Sequence, residues 1–185
     1  MTKVFIKNEF KIRRNCIMAN ELEKDLKQLE ITELNEKAEN AVAVAVAATA
    51  TTGAVPIPFA DAPLLIAEQV TLMATICGIY GIDVDKDGLK MLATTVISAG
   101  GAAIVGKTIA TNLLKLIPGA GSVAGGVISA GTAGAVTLAM GKAFIEVCKS
   151  VKLGKLNVED ITSSKGKDLL KKQFKDQMKK NSEED

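Results

Sequence analysis

The 185-residue sequence contains no histidine and no tryptophan, and aromatic residues make up only 3% of it. The absence of histidine removes the most common general base and metal ligand, and it excludes Ser-His-Asp and Cys-His catalysis. The cysteines Cys16, Cys77 and Cys148 lie far apart and form no CxxC pair, so they do not indicate a zinc site. We therefore expect a non-enzymatic protein without a metal or a cofactor.

Charge is scarce in the middle of the chain. Charged residues make up 24% of the sequence, but they concentrate in residues 1–40 and 149–185. A formal net charge of only +2 argues against nucleic-acid binding, because general nucleic-acid binders usually carry a concentrated basic face. The N-terminus lacks the apolar stretch of a signal peptide. We expect a cytoplasmic protein, either free or associated with or inserted in the inner face of the cell membrane.

Helical periodicity predicts an all-α, Ala/Gly-rich bundle of about four to five helices, with central helical hairpins and amphipathic helices at both ends. The first predicted helix begins with Asn20 as its N-cap and continues into the Ala/Val run of residues 41–50, since alanine is the best helix former. Three prolines within residues 56–63 then break the pattern, and Asp61 is suited to cap the second helix. The remaining helices are predicted for residues 89–116, 122–153 and 164–180.

These boundaries divide the chain into three segments. Residues 1–19 are expected to be an N-terminal extension, and residues 20–153 a helical hydrophobic domain. Residues 154–185 are expected to be a basic amphipathic helix, with Leu170 and Phe174 on its apolar side, followed by a disordered tail.

Small residues recur every four positions in the fourth predicted helix, at Gly126, Ala130 and Gly134. Residues four apart share a helix face, and a row of small residues lets another helix approach closely. We expect this face to pack against the third predicted helix near Ala99 and Ala103.

A phosphate-loop pattern, GAAIVGKT, occupies residues 101–108. In a functional loop, Gly101 and Gly106 would frame backbone amides that bind phosphates, Lys107 would neutralise their charge and Thr108 would bind magnesium. The middle of the pattern is apolar and compatible with a helix, and no strand ending in aspartate follows it. We favour a glycine-containing helix, with nucleotide binding as an alternative.

The segment DVDKDG places Asp83, Asp85 and Asp87 at the spacing of the first half of a calcium-binding loop. The second half is missing, because Thr94 stands where a bidentate glutamate is required. We favour a turn whose carboxylates cap the next helix over a calcium site.

Three residues with polar or reactive side chains fall within the apolar helical patterns. Gln69 lies in the apolar stripe of the second predicted helix, where we expect it to form a hydrogen bond with a neighbouring helix or backbone. Cys77 and Cys148 are interpreted as small core residues.

Several short motifs occur in a defined order. They are Pro56-Ile57-Pro58, Ala60-Asp61, Gln69, Ile79-Tyr80-Gly81, Ile117-Pro118-Gly119 with Gly121, and Met140–Ile145. In this order, over about residues 38–150, the chain resembles the uncharacterised bacterial domain associated with GTPases. That domain usually follows an Era-like GTPase domain and also occurs in small stand-alone membrane-associated proteins. The resemblance implies a hydrophobic helical accessory domain, and any connection to a GTPase would act in trans.

Together these observations favour a non-enzymatic accessory or docking module that associates with a membrane or binds a protein partner, with a GTPase as the partner that the resemblance implies. Two alternatives stay open: a self-assembling or pore-like membrane protein, which would form a homo-oligomer, and a nucleotide-binding protein. Only residues 41–60 and 116–141 are uncharged over enough length to cross a membrane, and both carry Pro or Gly breaks. The sequence therefore leaves open whether the bundle is soluble or inserted.

Overall fold

A computed structural model describes the backbone of residues 2–52, 61–97 and 130–183, and the side chains of residues 18–49, 65–97 and 134–180. The helices in these ranges are α1 (Thr2–Thr52), α2 (Asp61–Tyr80), α3 (Lys86–Val96), α4 (Ala130–Lys152) and α5 (Ser164–Glu183). No strand occurs in this part of the chain. The predicted all-α fold is confirmed.

Helix α1 is longer than the sequence pattern predicted. Its helical backbone runs through residue 20 without a break, so the predicted helix start at Asn20 is wrong. The physical reason is that no glycine or proline precedes Gly53, and nothing in the first 52 residues interrupts a helix. The same continuity confirms that the Ala/Val run of residues 41–50 is helical, as predicted.

The chain divides into two contact units, residues 1–36 and residues 37–185. The first unit is the N-terminal part of α1. The second unit contains the rest of α1 and the other four described helices, with their large buried side chains.

Helix α4 has the most extensive packing in the second unit. It packs against α2 and α5, while α3 packs against α2 and α5. The largest side chains buried in these contacts include Tyr80 of α2, Leu89 of α3, Phe144 of α4 and Phe174 of α5. Burial of such apolar surface is the main driving force for folding, so these helices form the core of the unit.

Two glycines end helices in the left-handed backbone conformation. Gly81 follows α2 with φ of 62°, and Gly154 follows α4 with φ of 70°. After α2, the Ile82 N–H donates to the Cys77 carbonyl at 2.9 Å and the Gly81 N–H donates to the Gly78 carbonyl at 3.2 Å. This pair of bonds is a Schellman motif, which satisfies the last carbonyls of a helix. The same pair of bonds recurs around Gly154.

Side-chain caps fix the starts of α3 and α5. The Asp85 carboxylate accepts a hydrogen bond from the Gly88 N–H at 2.8 Å, so α3 begins at Lys86, three residues before the predicted start. At α5, the Ser163 hydroxyl accepts from the Lys165 N–H at 3.2 Å. None of the helices in the described ranges combines the length and apolar character that crossing a bilayer requires.

Candidate functional site

An apolar groove of about 680 Å³ lies between α1 and α2 in the second unit. Its walls are Asn40, Ala41, Val44, Ala45, Ala48 and Thr49 from α1, and Ala67, Glu68, Thr71, Leu72 and Thr75 from α2. Small residues spaced four apart form one row on each helix: Ala41, Ala45 and Thr49 on α1, and Ala67, Thr71 and Thr75 on α2. Rows of small side chains leave space between two helices, and this space is the groove.

The groove is apolar although several threonines line it. The Thr71 hydroxyl donates to the Ala67 carbonyl, and the Thr75 hydroxyl donates to the Thr71 carbonyl, both at 2.9 Å. A threonine that bonds to the carbonyl four residues earlier has satisfied its hydroxyl within its own helix. Val44, with 71% of its surface exposed, extends the apolar character of the groove to its edge.

A buried polar network joins three helices near this groove. The Gln69 amide donates to the Thr137 hydroxyl at 2.8 Å, and the Thr137 hydroxyl donates to the Thr49 hydroxyl at 3.4 Å. Gln69 is fully buried, and Thr137 and Thr49 are 1% and 3% exposed. The interpretation of Gln69 as a residue that bonds a neighbouring helix is confirmed, because Thr137 belongs to α4.

The network leaves one acceptor unused. The Gln69 Oε1 atom is buried and forms no hydrogen bond with the residues that the structure describes. A buried polar group without a partner costs about 1–3 kcal/mol, so Gln69 lowers stability relative to a fully paired residue. Its amide nevertheless links α2 to α4 through the bond with Thr137.

Cys77 of α2 and Cys148 of α4 are free, buried and hydrogen-bonded to each other. The bond with Cys77, together with burial, raises the pKa of the Cys148 thiol. The same bond lowers the pKa of Cys77, against the opposing effect of burial. Cys148 is thus held as a neutral thiol in the core, and the interpretation of both cysteines as small core residues is confirmed.

The small-residue face of α4 packs against α1 where the structure describes it. A Cβ atom added at Gly134 would lie 3.7 Å from Val46 Cγ1, and one added at Gly141 would lie 2.5 Å from Val42 Cγ2. Gly141 therefore marks a closer approach than Gly134. The predicted partners Ala99 and Ala103, and Gly126 itself, lie outside the described residues, as does the side chain of Ala130. The predicted contact with the third helix stays a prediction.

The structure describes one of the two ligand motifs in the sequence and not the other. The phosphate-loop residues Gly101, Gly106, Lys107 and Thr108 lie outside the described residues.

The acidic turn, in contrast, is described. Asp83, Asp85 and Asp87 are exposed, and Asp85 caps α3 as the favoured interpretation required. Across the described side chains, no group of three His, Cys, Asp or Glu residues could hold a metal ion.

A basic surface lies on the outer side of α5. Between Ser164 and Lys180 the helix carries seven lysines and two aspartates. The lysines include Lys165, Lys172, Lys175 and Lys179, all of which are exposed. The apolar side of the helix is buried at Leu170, Phe174 and Met178. The lysine face therefore points to solvent while the apolar face is used in the core.

Sequence reasoning missed the groove and two members of the polar network. The spacing-four rows of Ala41, Ala45 and Thr49 and of Ala67, Thr71 and Thr75 were a usable signal for the groove. No comparable signal connected Gln69 with Thr49 or Thr137, because a single hydroxyl in an apolar helix does not reveal which helix it faces.

Comparison with known proteins identifies the family. The family described as "Domain of unknown function (DUF697)" matches residues 17–182. Magnetosome membrane protein 22 of Magnetospirillum gryphiswaldense is 31% identical over 113 residues, which are 59% of this chain and 56% of that protein. The chain thus spans about half the length of this relative. No solved structure matches. The resemblance predicted over residues 38–150 is confirmed over a longer range, and the chain belongs to the DUF697 family.

Proposed function

We propose that this chain is a non-enzymatic docking module that associates with the surface of an anionic membrane. The observation that carries the proposal is the lysine face of α5, whose charge is exposed while its apolar side is buried. The similarity to a protein named as a magnetosome membrane protein supports a role at a membrane.

The mode of association follows from which side of α5 is exposed. A helix that inserts into the lipid interface needs an exposed apolar face, and the apolar side of α5 packs in the core instead. Exposed lysines near an anionic leaflet contribute about 1 kcal/mol each, and this attraction decays within a Debye length. Asp168 is also exposed on α5 and reduces the attraction. The binding is therefore electrostatic and sensitive to salt.

The non-enzymatic part of the proposal is supported by chemistry. The sequence has no histidine, Cys77 and Cys148 are both buried, and the raised pKa of the Cys148 thiol makes it a poor nucleophile. Apart from Asn40 and Glu68, the groove between α1 and α2 has an apolar lining, in which Thr71 and Thr75 bond their own helix. Such a lining suits packing rather than acid–base chemistry.

The family resemblance adds a protein partner to this proposal. A GTPase in trans is the partner that it implies, and a module bound to the membrane surface would bring such a GTPase to that surface. The membrane step is the one that the lysine face of α5 supports, so it is tested first.

Binding of the full chain to lipid vesicles tests the proposal. We expect co-sedimentation with vesicles that contain about 30% phosphatidylserine, weak binding to phosphatidylcholine vesicles, and release when NaCl rises from about 50 mM to about 500 mM. The double variant Lys172→Glu/Lys175→Glu should bind at least about tenfold more weakly, because it reverses two charges on the lysine face.

A matched control distinguishes the effect of the lysine face from the effect of net charge. The variant Lys86→Glu/Lys142→Glu makes the same change of net charge at exposed positions on α3 and α4. We expect it to bind within about twofold of the wild-type chain, because the attraction to lipid is local. Equal binding of wild-type protein to both kinds of vesicle, or equal loss in both double variants, would contradict the proposed docking face.

A further inference from the structure

An exposed apolar stripe runs along the N-terminal part of α1, within the first unit. Its members are Met18, Leu22, Leu26 and Leu29, whose surfaces are 66%, 61%, 58% and 67% exposed. Their spacing of four, four and three positions places them on one face over about three helical turns. Single exposed leucines are ordinary on a protein surface, but a continuous row of four marks an interaction site.

Acidic residues border this stripe. Asp25 lies three positions after Leu22 and four before Leu29, and Glu23 lies three before Leu26. Residues three or four apart are neighbours on a helix surface, so both carboxylates flank the stripe. Glu21 stands in the same relation to Met18, and all three acidic residues are exposed.

The two lysines of this segment lie elsewhere on the helix. Neither Lys24 nor Lys27 is three or four positions from any member of the stripe. The border of the stripe is therefore acidic, although the segment carries both signs of charge.

The acidic border favours some binding partners of the stripe over others. An anionic lipid surface would meet carboxylates at the edge of the stripe, and a second copy of α1 would place one acidic border opposite another in either orientation. Like charges across an interface oppose association, whereas opposite charges beside an apolar seam determine which helix pairs with which. A helix with basic residues beside its apolar row can pack that row on the leucines and pair its positive charges with the carboxylates.

We propose that the stripe of Met18, Leu22, Leu26 and Leu29 docks an amphipathic helix of a partner protein whose apolar row is bordered by lysine or arginine. The partner helix covers about three turns of α1, and the pairing resembles a short two-helix coiled coil. This surface is distinct from the lysine face of α5, so its test does not depend on membrane binding.

The test uses the full chain and a synthetic helical peptide of about three heptads, with leucine at the two core positions of each heptad and lysine at the flanking positions. A second peptide has glutamate in place of the flanking lysines. Titration calorimetry should show that the lysine peptide binds at least about tenfold more tightly than the glutamate peptide.

Protein variants locate the binding to the stripe. Leu22→Gln/Leu26→Gln changes no charge, keeps good helix formers, and should weaken binding of the lysine peptide at least about tenfold. The control Gln28→Ala alters an exposed residue away from the stripe and should change binding less than about twofold. Glu23→Gln/Asp25→Asn should weaken binding of the lysine peptide and leave binding of the glutamate peptide no weaker.

Other outcomes would overturn the proposal. Equal affinity for the two peptides would mean that the acidic border does not select the partner, and an unchanged affinity in the double leucine variant would place the peptide elsewhere. A dimer in sedimentation equilibrium that the leucine variant abolishes would make a second copy the occupant. Binding to phosphatidylserine vesicles that the same variant abolishes would make lipid the occupant.

Discussion

The two ends of the chain carry amphipathic helices with opposite properties. In α5 the apolar row of Leu170, Phe174 and Met178 is no more than 2% exposed, whereas the leucines of the α1 stripe, such as Leu22 and Leu26, are about 60% exposed. Both rows have helical spacing in the sequence. The difference teaches that periodicity predicts an apolar face but not whether the protein itself covers it.

The charges of the two helices differ as well. Residues 18–36 of α1 carry six acidic residues and two lysines, whereas residues 164–180 of α5 carry seven lysines and two aspartates. A helix whose apolar face is buried offers only its charge to a partner, and α5 offers positive charge. The α1 stripe offers apolar surface with an acidic border. The two helices therefore suit different partners, an anionic surface for α5 and a basic amphipathic helix for α1.

The largest expected effect tests the buried apolar row of α5. Phe174 is 1% exposed on α5, and α5 packs against α3 and α4. Phe174→Ala should lower the free energy of unfolding by about 3–5 kcal/mol, because it removes apolar contacts and leaves a cavity. Urea denaturation measures the change. The control Lys175→Ala, at a neighbouring exposed position, should change the free energy of unfolding by less than about 0.5 kcal/mol. A similar cost in both variants would show that the apolar row does not hold α5 in place.

The start of α5 provides a second test, because this helix needs a close turn to reach its position. A Cβ atom added at Gly166 would collide with the Ile161 carbonyl oxygen and lie 2.5 Å from the Asp160 carbonyl oxygen. Backbone atoms cannot yield as a flexible side chain can. Gly166→Ala should therefore destabilise the protein by about 1–3 kcal/mol, despite the better helix propensity of alanine.

Gly78 of α2 is the matched glycine for this test. It is exposed, and an added Cβ atom would meet no atom within 4 Å. Gly78→Ala should leave stability unchanged or raise it by up to about 1 kcal/mol. Thermal unfolding should give a lower Tm for Gly166→Ala and an unchanged or higher Tm for Gly78→Ala. If Gly166→Ala also stabilises, the turn before α5 is looser than the carbonyl contacts indicate.

The all-α fold could be predicted because it depends on local signals. Helical spacing marked the row of Leu170, Phe174 and Met178, and the carboxylates of the acidic turn at residues 83–88 were expected to cap the next helix. The start of α1 was predicted wrongly because a plausible N-cap at Asn20 was given more weight than the absence of any helix-breaking residue before Gly53. A capping side chain permits a helix to begin but does not require it.

The candidate sites depend on tertiary contacts, and the sequence indicated them only in part. Gln69 was recognised as a polar residue in an apolar stripe, but its partner Thr137 lies 68 positions away. Which helix faces which is decided by packing of the whole bundle, and not by any local pattern. The exposure of Leu26 was also beyond prediction, because the same pattern would suit a buried face.

The smallest expected effect tests the exposed stripe of α1, with one leucine from each helix as a matched pair. Leu26 on α1 is 58% exposed and Leu170 on α5 is fully buried. Leu26→Ala should change the free energy of unfolding by less than about 0.5 kcal/mol, because little apolar surface is lost and alanine has the higher helix propensity. Leu170→Ala should cost about 2–5 kcal/mol for the same chemical change. Urea denaturation at low protein concentration compares the two. A cost above about 1.5 kcal/mol for Leu26→Ala would mean that the free protein already covers the stripe, and the docking surface on α1 would then be lost.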